Sequence, residues 1–133
     1  MEIKSYRDLE VWKKSIILVK DIYRISDLFP TKEQYTLTSQ IRRAAISVPS
    51  NIAEGRSRQS TKEYIRFLDI AYGSLAELET QLFISKELGY IDGDKLDNAL
   101  LQTSEIARML NGLTAKLQQK LISDLRPLTP ELS

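Results

Sequence analysis

The stretch SQIRRAAISVPSNIAEGRSRQSTKEY, residues 39–64, decides how this chain folds. Its apolar residues recur every three to four positions on both sides of Pro49, which is the spacing of a helix buried along one face. A proline inside a helix removes one backbone hydrogen bond and pushes against the carbonyl four residues earlier, here that of Ala45. We therefore predict a helix kinked at Pro49, with polar neighbours such as Asn51 satisfying the freed backbone groups. The kink can serve the helix alone, or it can also shape a binding surface.

The same spacing extends outward from this stretch. The second helix is predicted to begin at Thr31, with Gln34 completing a capping box, and to end at Gly55. The third helix is predicted to open at a Ser60 cap and to end at a left-handed Gly89. The inner positions of these two helices are Leu37, Ile41, Ala44 or Ala45, Val48 and Ile52, and then Tyr64, Leu68, Ala71, Leu75, Leu78 and Leu82.

The first and fourth helices follow from the same rule. The first is predicted over residues 6–27, capped by Ser5 with Asp8 in the box. It has two apolar rows where one suffices inside a bundle, which indicates a wider buried face or a partner subunit. The fourth starts near Asp92 and stays in phase across the Asn-Gly pair at 111–112. The two rows of the first helix are Leu9, Trp12, Ile16, Val19 and Tyr23, expected to form the seam, and Val11, Leu18, Ile22, Ile25 and Phe29; the stripe of the fourth is Leu96, Leu100, Thr103, Ala107, Leu110, Leu117 and Leu121.

Long helices joined by short connections predict an all-α fold, an antiparallel up-down-up-down four-helix bundle. The length of 133 residues fits one domain. We assign the bundle to residues 1–124, and we expect the proline-punctuated residues 125–133 to form a flexible C-terminal tail.

The composition excludes several classes of chemistry. The chain has no cysteine and no histidine, so disulfides, thiolate nucleophiles, imidazole bases and histidine metal ligands are all excluded. Glu77 and Glu79 are two residues apart and point in different directions on a helix, so they do not form a catalytic dyad. We therefore predict no enzyme, no cofactor and no metal site.

The N-terminal segment and the lengths of the apolar runs bear on localisation. The first residues contain no apolar core of a signal peptide. No purely apolar run approaches the ~20 residues that a membrane span needs. We expect a cytoplasmic protein without a membrane partner.

Positive charge is concentrated in residues 40–66. Six basic and two acidic residues give this segment +4, while the whole chain is only +1, so the remainder is −3. We expect this charge at one end of the bundle, around the connection of helices two and three, where it suits phosphates; the alternative is a solvated basic loop. Glu54 is expected to pair with an arginine rather than to act as a catalytic acid. The candidate nucleic-acid-binding residues are Arg42, Arg43, Arg56, Arg58, Lys62 and Arg66.

Gly73 lies inside the predicted third helix. A glycine there costs about 1 kcal/mol relative to alanine. Such a loss is tolerated where another backbone approaches closely, so we expect a helix contact at Gly73, with access for a ligand as the alternative.

Three motifs within residues 7–90 resemble a known family. They are FPTKEQYTLTSQIRRA at 29–44, SVPSNIAEG at 47–55 and AYGSLAELETQL at 71–82. They resemble the four-helix bundle proteins named after open reading frames in 23S rRNA intervening sequences. The accessory variability determinant proteins of diversity-generating retroelements are similar.

The resemblance implies a four-helix bundle that assembles as a ring-like homopentamer and associates with nucleic acid through basic surfaces. In retroelements it implies a partnership with reverse transcriptase, and it does not imply an enzyme. We therefore expect a non-enzymatic homo-oligomer that associates with RNA or DNA; the alternative is a scaffold for another protein without nucleic-acid contact. The positions that match the family motifs are Arg42, Arg43, Asn51, Glu54, Gly55, Arg58, Gly73, Ser74, Glu77 and Glu79.

Overall fold

A computed structural model describes residues 4–125, and this part of the chain contains four α-helices and no strand. The predicted all-α four-helix bundle is confirmed. Short 3-10 turns precede the first two helices, at Tyr6–Asp8 and Thr31–Glu33. The predicted flexible tail, apart from its first residue, lies outside the described residues. The four helices are α1 (Glu10–Ser26), α2 (Leu37–Arg56), α3 (Thr61–Glu87) and α4 (Gly93–Leu125).

Contacts between the helices establish their directions. Gly55, near the end of α2, lies against Phe67, near the start of α3. Ser47, earlier in α2, is hydrogen-bonded to Ser74, later in α3. The two helices are therefore antiparallel, and the side-chain contacts between α1 and α4 reverse in the same way. Each helix packs on the next, and α1 closes the bundle against α4. These directions are consistent with the predicted up-down-up-down topology.

The first helix is shorter than predicted. Ser5 and Asp8 form the predicted capping box, but the box caps a 3-10 turn. Leu9 has an extended backbone, with φ −74° and ψ 125°, and this separates the turn from α1. The predicted continuous helix from residue 6 is therefore wrong at this point.

The row of α1 that enters the core is not the predicted seam. Ile16 and Tyr23 of that seam remain 42% and 39% exposed. The buried row begins at Val11 and includes Ser15 and Ser26, whose hydroxyls donate to carbonyls of their own helix at 2.7 and 3.1 Å. An apolar pattern passes over these serines, although a small hydroxyl bonded to its own helix packs well in a core.

The second helix begins six residues later than predicted. The capping box expected at Thr31 and Gln34 does not form, because Thr31 is the first residue of a 3-10 turn rather than the residue before a helix. The Thr36 hydroxyl instead donates to a carboxylate oxygen of Glu33 at 2.6 Å.

Pro49 is buried within α2, which continues past it to Arg56. The Asn51 side-chain amide donates to the carbonyl and the hydroxyl of Ser47 at 2.8 and 2.9 Å. The Ser47 hydroxyl is in turn bonded to Ser74 of α3 at 2.8 Å. Polar groups thus gather beside the proline as expected, but they bond to Ser47 and not to the carbonyl that the proline frees. The kink itself stays a prediction.

Two glycines do not have the roles that were predicted for them. Gly55 does not end α2, which runs to Arg56. A Cβ at Gly55 would lie only 2.8 Å from the Cβ of Phe67, so this glycine allows α2 to approach α3. A Cβ at Gly73 would have no neighbour within 4 Å. The predicted close helix contact at Gly73 is therefore wrong.

The predicted limits of α3 are confirmed. The Ser60 side chain accepts a hydrogen bond from the backbone N–H of Glu63 at 3.2 Å. Gly89 has φ +78°, and the N–H of Tyr90 donates to the carbonyl of Ser85, as in a Schellman motif.

The apolar stripes of α2 and α3 form the centre of the core. The fully buried core residues of these two helices are Ile41, Ala45, Val48, Ile52, Leu68, Ala71, Leu78 and Leu82.

The fourth helix, α4, continues through residues 111–112 without a break, as predicted. None of the described helices is both long and apolar enough to cross a membrane.

Candidate nucleic-acid interface

The six candidate basic residues divide between the two ends of α2. Arg42 and Arg43 lie in its second turn, and Arg56 is its last residue. Fourteen residues separate Arg42 from Arg56, which corresponds to about 21 Å along the helix. The expectation that all six gather at the α2–α3 connection is therefore wrong for Arg42 and Arg43. The other four form the corner cluster: Arg56, Arg58, Lys62 and Arg66.

Phe67 organises the corner cluster. The guanidinium carbons of Arg58 and Arg66 lie 4.8 and 5.0 Å from the centre of its ring. The ring is buried and packs against Gly55, so the backbone approach of α2 to α3 fixes its position. Two cation–π contacts on one fixed ring hold two positive charges close together.

The arginines of the corner cluster also have carboxylate partners. Arg58 is 2.7 Å from Glu54, and Arg66 is 2.9 Å from Glu63. The predicted pairing of Glu54 with an arginine is confirmed. The arginine and glutamate side chains of both pairs are about half exposed. Such exposed pairs contribute little free energy, so a phosphate can replace either carboxylate at small cost.

Arg56 and Lys62 complete the corner cluster. Arg56 is near Tyr64, where its charge opposes the rise in pKa that burial causes in the Tyr64 phenol. Lys62 lies in the first turn of α3, is exposed, and has no acidic partner within residues 4–125. The helix dipole at this end of α3 favours anions. An open groove of about 440 Å³ beside it is lined by Ser60, Lys62, Glu63, Ile65, Arg66 and Asp69.

Arg42 is held by the end of α1. Its Nε donates to the hydroxyl of Ser26 at 2.7 Å, and its Nη2 donates to the carboxylate of Asp27 at 2.8 Å. Its guanidinium carbon lies 4.5 Å from the centre of the Tyr23 ring. These contacts tie the first half of α2 to the C-terminus of α1, so Arg42 has a structural role.

Arg43 faces a different environment. It is exposed and has no acidic partner in the described part of the chain. Beside it an open groove of about 670 Å³ runs along α2, and we call it the α2 groove. Tyr35 contributes to its wall and is 86% exposed. The residues that line the α2 groove are Tyr23, Gln34, Tyr35, Thr38, Ser39, Arg42, Arg43, Ile46 and Ser47.

The acidic residues of α3 do not converge. Glu77 accepts a hydrogen bond from Gln81 of its own helix at 3.3 Å, whereas Glu79 accepts one from Thr103 of α4 at 2.6 Å. The two carboxylates point in different directions, as predicted. Across residues 4–125, no group of three acidic side chains is arranged to hold a metal ion.

Two aromatic residues of these surfaces were not predicted from the sequence. Phe67 is adjacent to Arg66 in the sequence, and Tyr35 belongs to the motif that also contains Arg42 and Arg43. An aromatic residue close to a pair of basic residues was the available signal.

A family model described as 23S rRNA-intervening sequence protein matches residues 7–112. The chain belongs to this family. The match covers α1, α2 and α3 and ends inside α4, so α4 extends beyond it. The resemblance inferred from the three sequence motifs is confirmed.

A comparison with solved structures shows a chain of similar fold. It is a protein of unknown function from the S23 ribosomal protein family of Bacteroides thetaiotaomicron, with a TM-score of 0.74 and 24% sequence identity. The similarity covers 79% of this chain and 95% of that chain. At this identity the similarity shows the fold alone. No curated protein matches the chain.

Proposed function

We propose that this protein is a non-enzymatic, oligomeric four-helix bundle that associates with RNA or DNA through the corner cluster. The observation that carries the proposal is the placement of Arg58 and Arg66 on one buried ring, next to Lys62, which lacks an acidic partner within residues 4–125. Such a rigid group of cations suits the repeated phosphates of a nucleic-acid backbone. It recognises charge and not sequence.

The oligomeric state is the second part of the proposal. Ile17, Leu28 and Leu101 are 56%, 57% and 71% exposed. Ile17 lines one groove between α1 and α4, Leu28 lines another, and Leu101 lies on α4. Covering these side chains with a second copy would remove apolar surface from water. The family resemblance implies a homopentamer, in which five corner clusters on one body would bind a polyanion more tightly than one.

We also propose that the protein has no catalytic activity. The chain has no histidine or cysteine to act as base or nucleophile, and Glu77 and Glu79 diverge. We propose a cytoplasmic location, without a membrane partner.

The same exposed apolar side chains also favour a second candidate function. A different protein could cover Ile17, Leu28 and Leu101 in place of a second copy, and the bundle would then be a scaffold without nucleic-acid contact. A reverse transcriptase is the partner that the family resemblance implies. The two functions differ in whether the isolated protein binds nucleic acid.

Filter binding with RNA and DNA duplexes and with single strands, at two salt concentrations, tests the proposed function. We expect the triple variant R56Q/R58Q/R66Q to weaken duplex binding strongly and single-strand binding to a smaller extent. Light scattering should show that the triple variant forms the same oligomer as the parent, with a mass larger than that of one 15.2 kDa chain. The matched control K13Q/K86Q/K116Q removes three exposed charges elsewhere and should bind as the parent does. Unchanged duplex binding by the corner variant would exclude the corner cluster, and a parent that binds nothing at low salt would favour the scaffold.

A further inference from the structure

We infer that the α2 groove is a second site, which binds an unpaired base and its neighbouring phosphate in a single-stranded nucleic acid. This inference takes its ligand class from the proposed function, but it concerns different residues. The corner cluster lies about 20 Å away along α2. The α2 groove therefore has its own chemistry and can be tested separately.

The charge of the α2 groove favours an anion. Its lining contains two arginines and no carboxylate. The groove beside the corner cluster contains Glu63 and Asp69, and a groove between α1 and α4 contains Asp21 and Glu105. In the α2 groove no acidic side chain of the lining competes with a phosphate. Arg42 is already bonded to Asp27, so Arg43 supplies the available charge.

Tyr35 supplies a surface for stacking. Its ring is 86% exposed and has no hydrogen bond or ring contact within residues 4–125. The turn that carries it is nevertheless fixed, because the carboxylate of Glu33, two residues earlier, accepts hydrogen bonds from Thr36 and from Tyr90. An exposed aromatic ring on a fixed backbone is what single-strand binding proteins use to stack a base. Little backbone entropy is then lost on binding.

The remaining lining suits the polar edge of a base. The Gln34 amide and the Ser39 hydroxyl can both donate and accept hydrogen bonds, and Ile46 adds an apolar wall. The groove volume of about 670 Å³ lies within the range of small-molecule sites, so it can hold a nucleotide unit.

A single strand fits these features better than a duplex. The bases of a duplex are stacked on one another, so none can lie on the Tyr35 ring. A duplex offers only phosphates to Arg43. An acidic peptide could neutralise Arg43, but it would give no role to the exposed ring, and it is therefore the competing outcome in the experiment.

The test uses the full chain with the three arginines of the corner cluster already replaced, R56Q/R58Q/R66Q, so that only Lys62 of the corner remains. Fluorescence anisotropy is measured with a labelled six-nucleotide single-stranded RNA, the matched RNA duplex and a hexaglutamate peptide. We expect the single strand to bind more tightly than the other two. Tyr35→Ala should weaken its binding at least about fivefold, the lower end for loss of one base stack. Tyr35→Phe should retain binding, and Arg43→Gln should weaken it.

Tyr72→Ala and Arg108→Gln are the matched controls, because both residues are exposed on other helices. They should bind the single strand as the corner variant does. The inference is overturned if the single strand does not bind the corner variant, if Tyr35→Ala binds it unchanged, or if the peptide binds equally well. Failure of the proposed function is a different result, since that would be seen as unchanged duplex binding when the corner cluster is removed.

Discussion

The two ends of α2 each carry arginines, but the surroundings of those arginines differ. At the C-terminal end, Arg58 is paired with Glu54 and packed on Phe67, a ring placed by the close approach at Gly55. At the N-terminal end, Arg43 projects beside an open groove whose lining has no carboxylate. One end concentrates charge by close packing, and the other leaves charge available in an open space. The number of basic residues in a segment therefore does not give the charge that a ligand meets.

Gly55→Ala should have the largest effect, because it disturbs the packing of the C-terminal end. The new Cβ would lie 2.8 Å from the Cβ of Phe67, an atom held by the α3 backbone that cannot swing away. We expect a loss of about 1–3 kcal/mol in the free energy of unfolding, measured by urea denaturation. Duplex binding at the corner cluster should weaken with it, while single-strand binding in the α2 groove remains.

Gly73→Ala is the matched control for Gly55→Ala. It lies in a neighbouring helix and has open space around it, so the higher helix propensity of alanine should stabilise the protein by up to about 1 kcal/mol. Equal effects at the two glycines would show that the close approach of α2 to α3 does not constrain the corner.

Arg42→Gln and Arg43→Gln separate structure from binding at the N-terminal end. Arg42→Gln removes the bonds to Ser26 and Asp27 and should lower the free energy of unfolding by about 1–2 kcal/mol. Arg43→Gln removes no hydrogen bond, ion pair or ring contact among residues 4–125 and should change the free energy of unfolding by less than about 0.5 kcal/mol. Thermal denaturation of both variants measures the difference. A reversed order would contradict the assignment of Arg42 to the fold and of Arg43 to the α2 groove.

The smallest expected effect is a loss of stability in acid, which depends on Glu33 in the turn before α2. Hydrogen bonds from Thr36 and Tyr90 lower the pKa of the Glu33 carboxyl below its ordinary value of 4.5. Its contribution to stability is therefore present above pH 4.5 and is lost as the pH falls through the lowered pKa. The melting temperature of the parent should fall more steeply from about pH 5 to about pH 3 than that of Glu33→Gln. Parallel curves would show that this carboxylate does not stabilise the turn that carries Tyr35.

Much of the fold could be predicted because the apolar periodicity of α2 and α3 is strong. The caps at Ser60 and Gly89 also follow local rules that tertiary contacts did not override. The core row of α1 was predicted only as a second apolar row, and its two serines were missed, because Ser15 and Ser26 interrupt the apolar pattern at buried positions. An apolar pattern cannot distinguish a serine bonded to its own helix from one exposed to water.

The candidate site was predicted in part. The corner cluster follows from charge close to a helix connection, but distance along the sequence does not show that Arg42 lies about 21 Å from Arg56. The roles of Gly55 and Gly73 depend on which helix passes nearby, which a single sequence does not contain. The exposure of Tyr35 likewise depends on the turn before α2. The carboxylate of Glu33 in this turn accepts a hydrogen bond from Tyr90 in the α3–α4 connection.

The salt dependence of duplex and single-strand binding tests most directly whether the two ends of α2 contribute separately. The logarithm of the association constant is measured against the logarithm of the salt concentration for three proteins. These are the parent, the corner variant R56Q/R58Q/R66Q and the groove variant Y35A/R43Q. Loss of three phosphate contacts should reduce the duplex slope of the corner variant by about 2 to 3. Y35A/R43Q should change the duplex slope by less than about 1 and lose the preference for single strands. If both variants keep the slope and the strand preference of the parent, neither end of α2 binds nucleic acid.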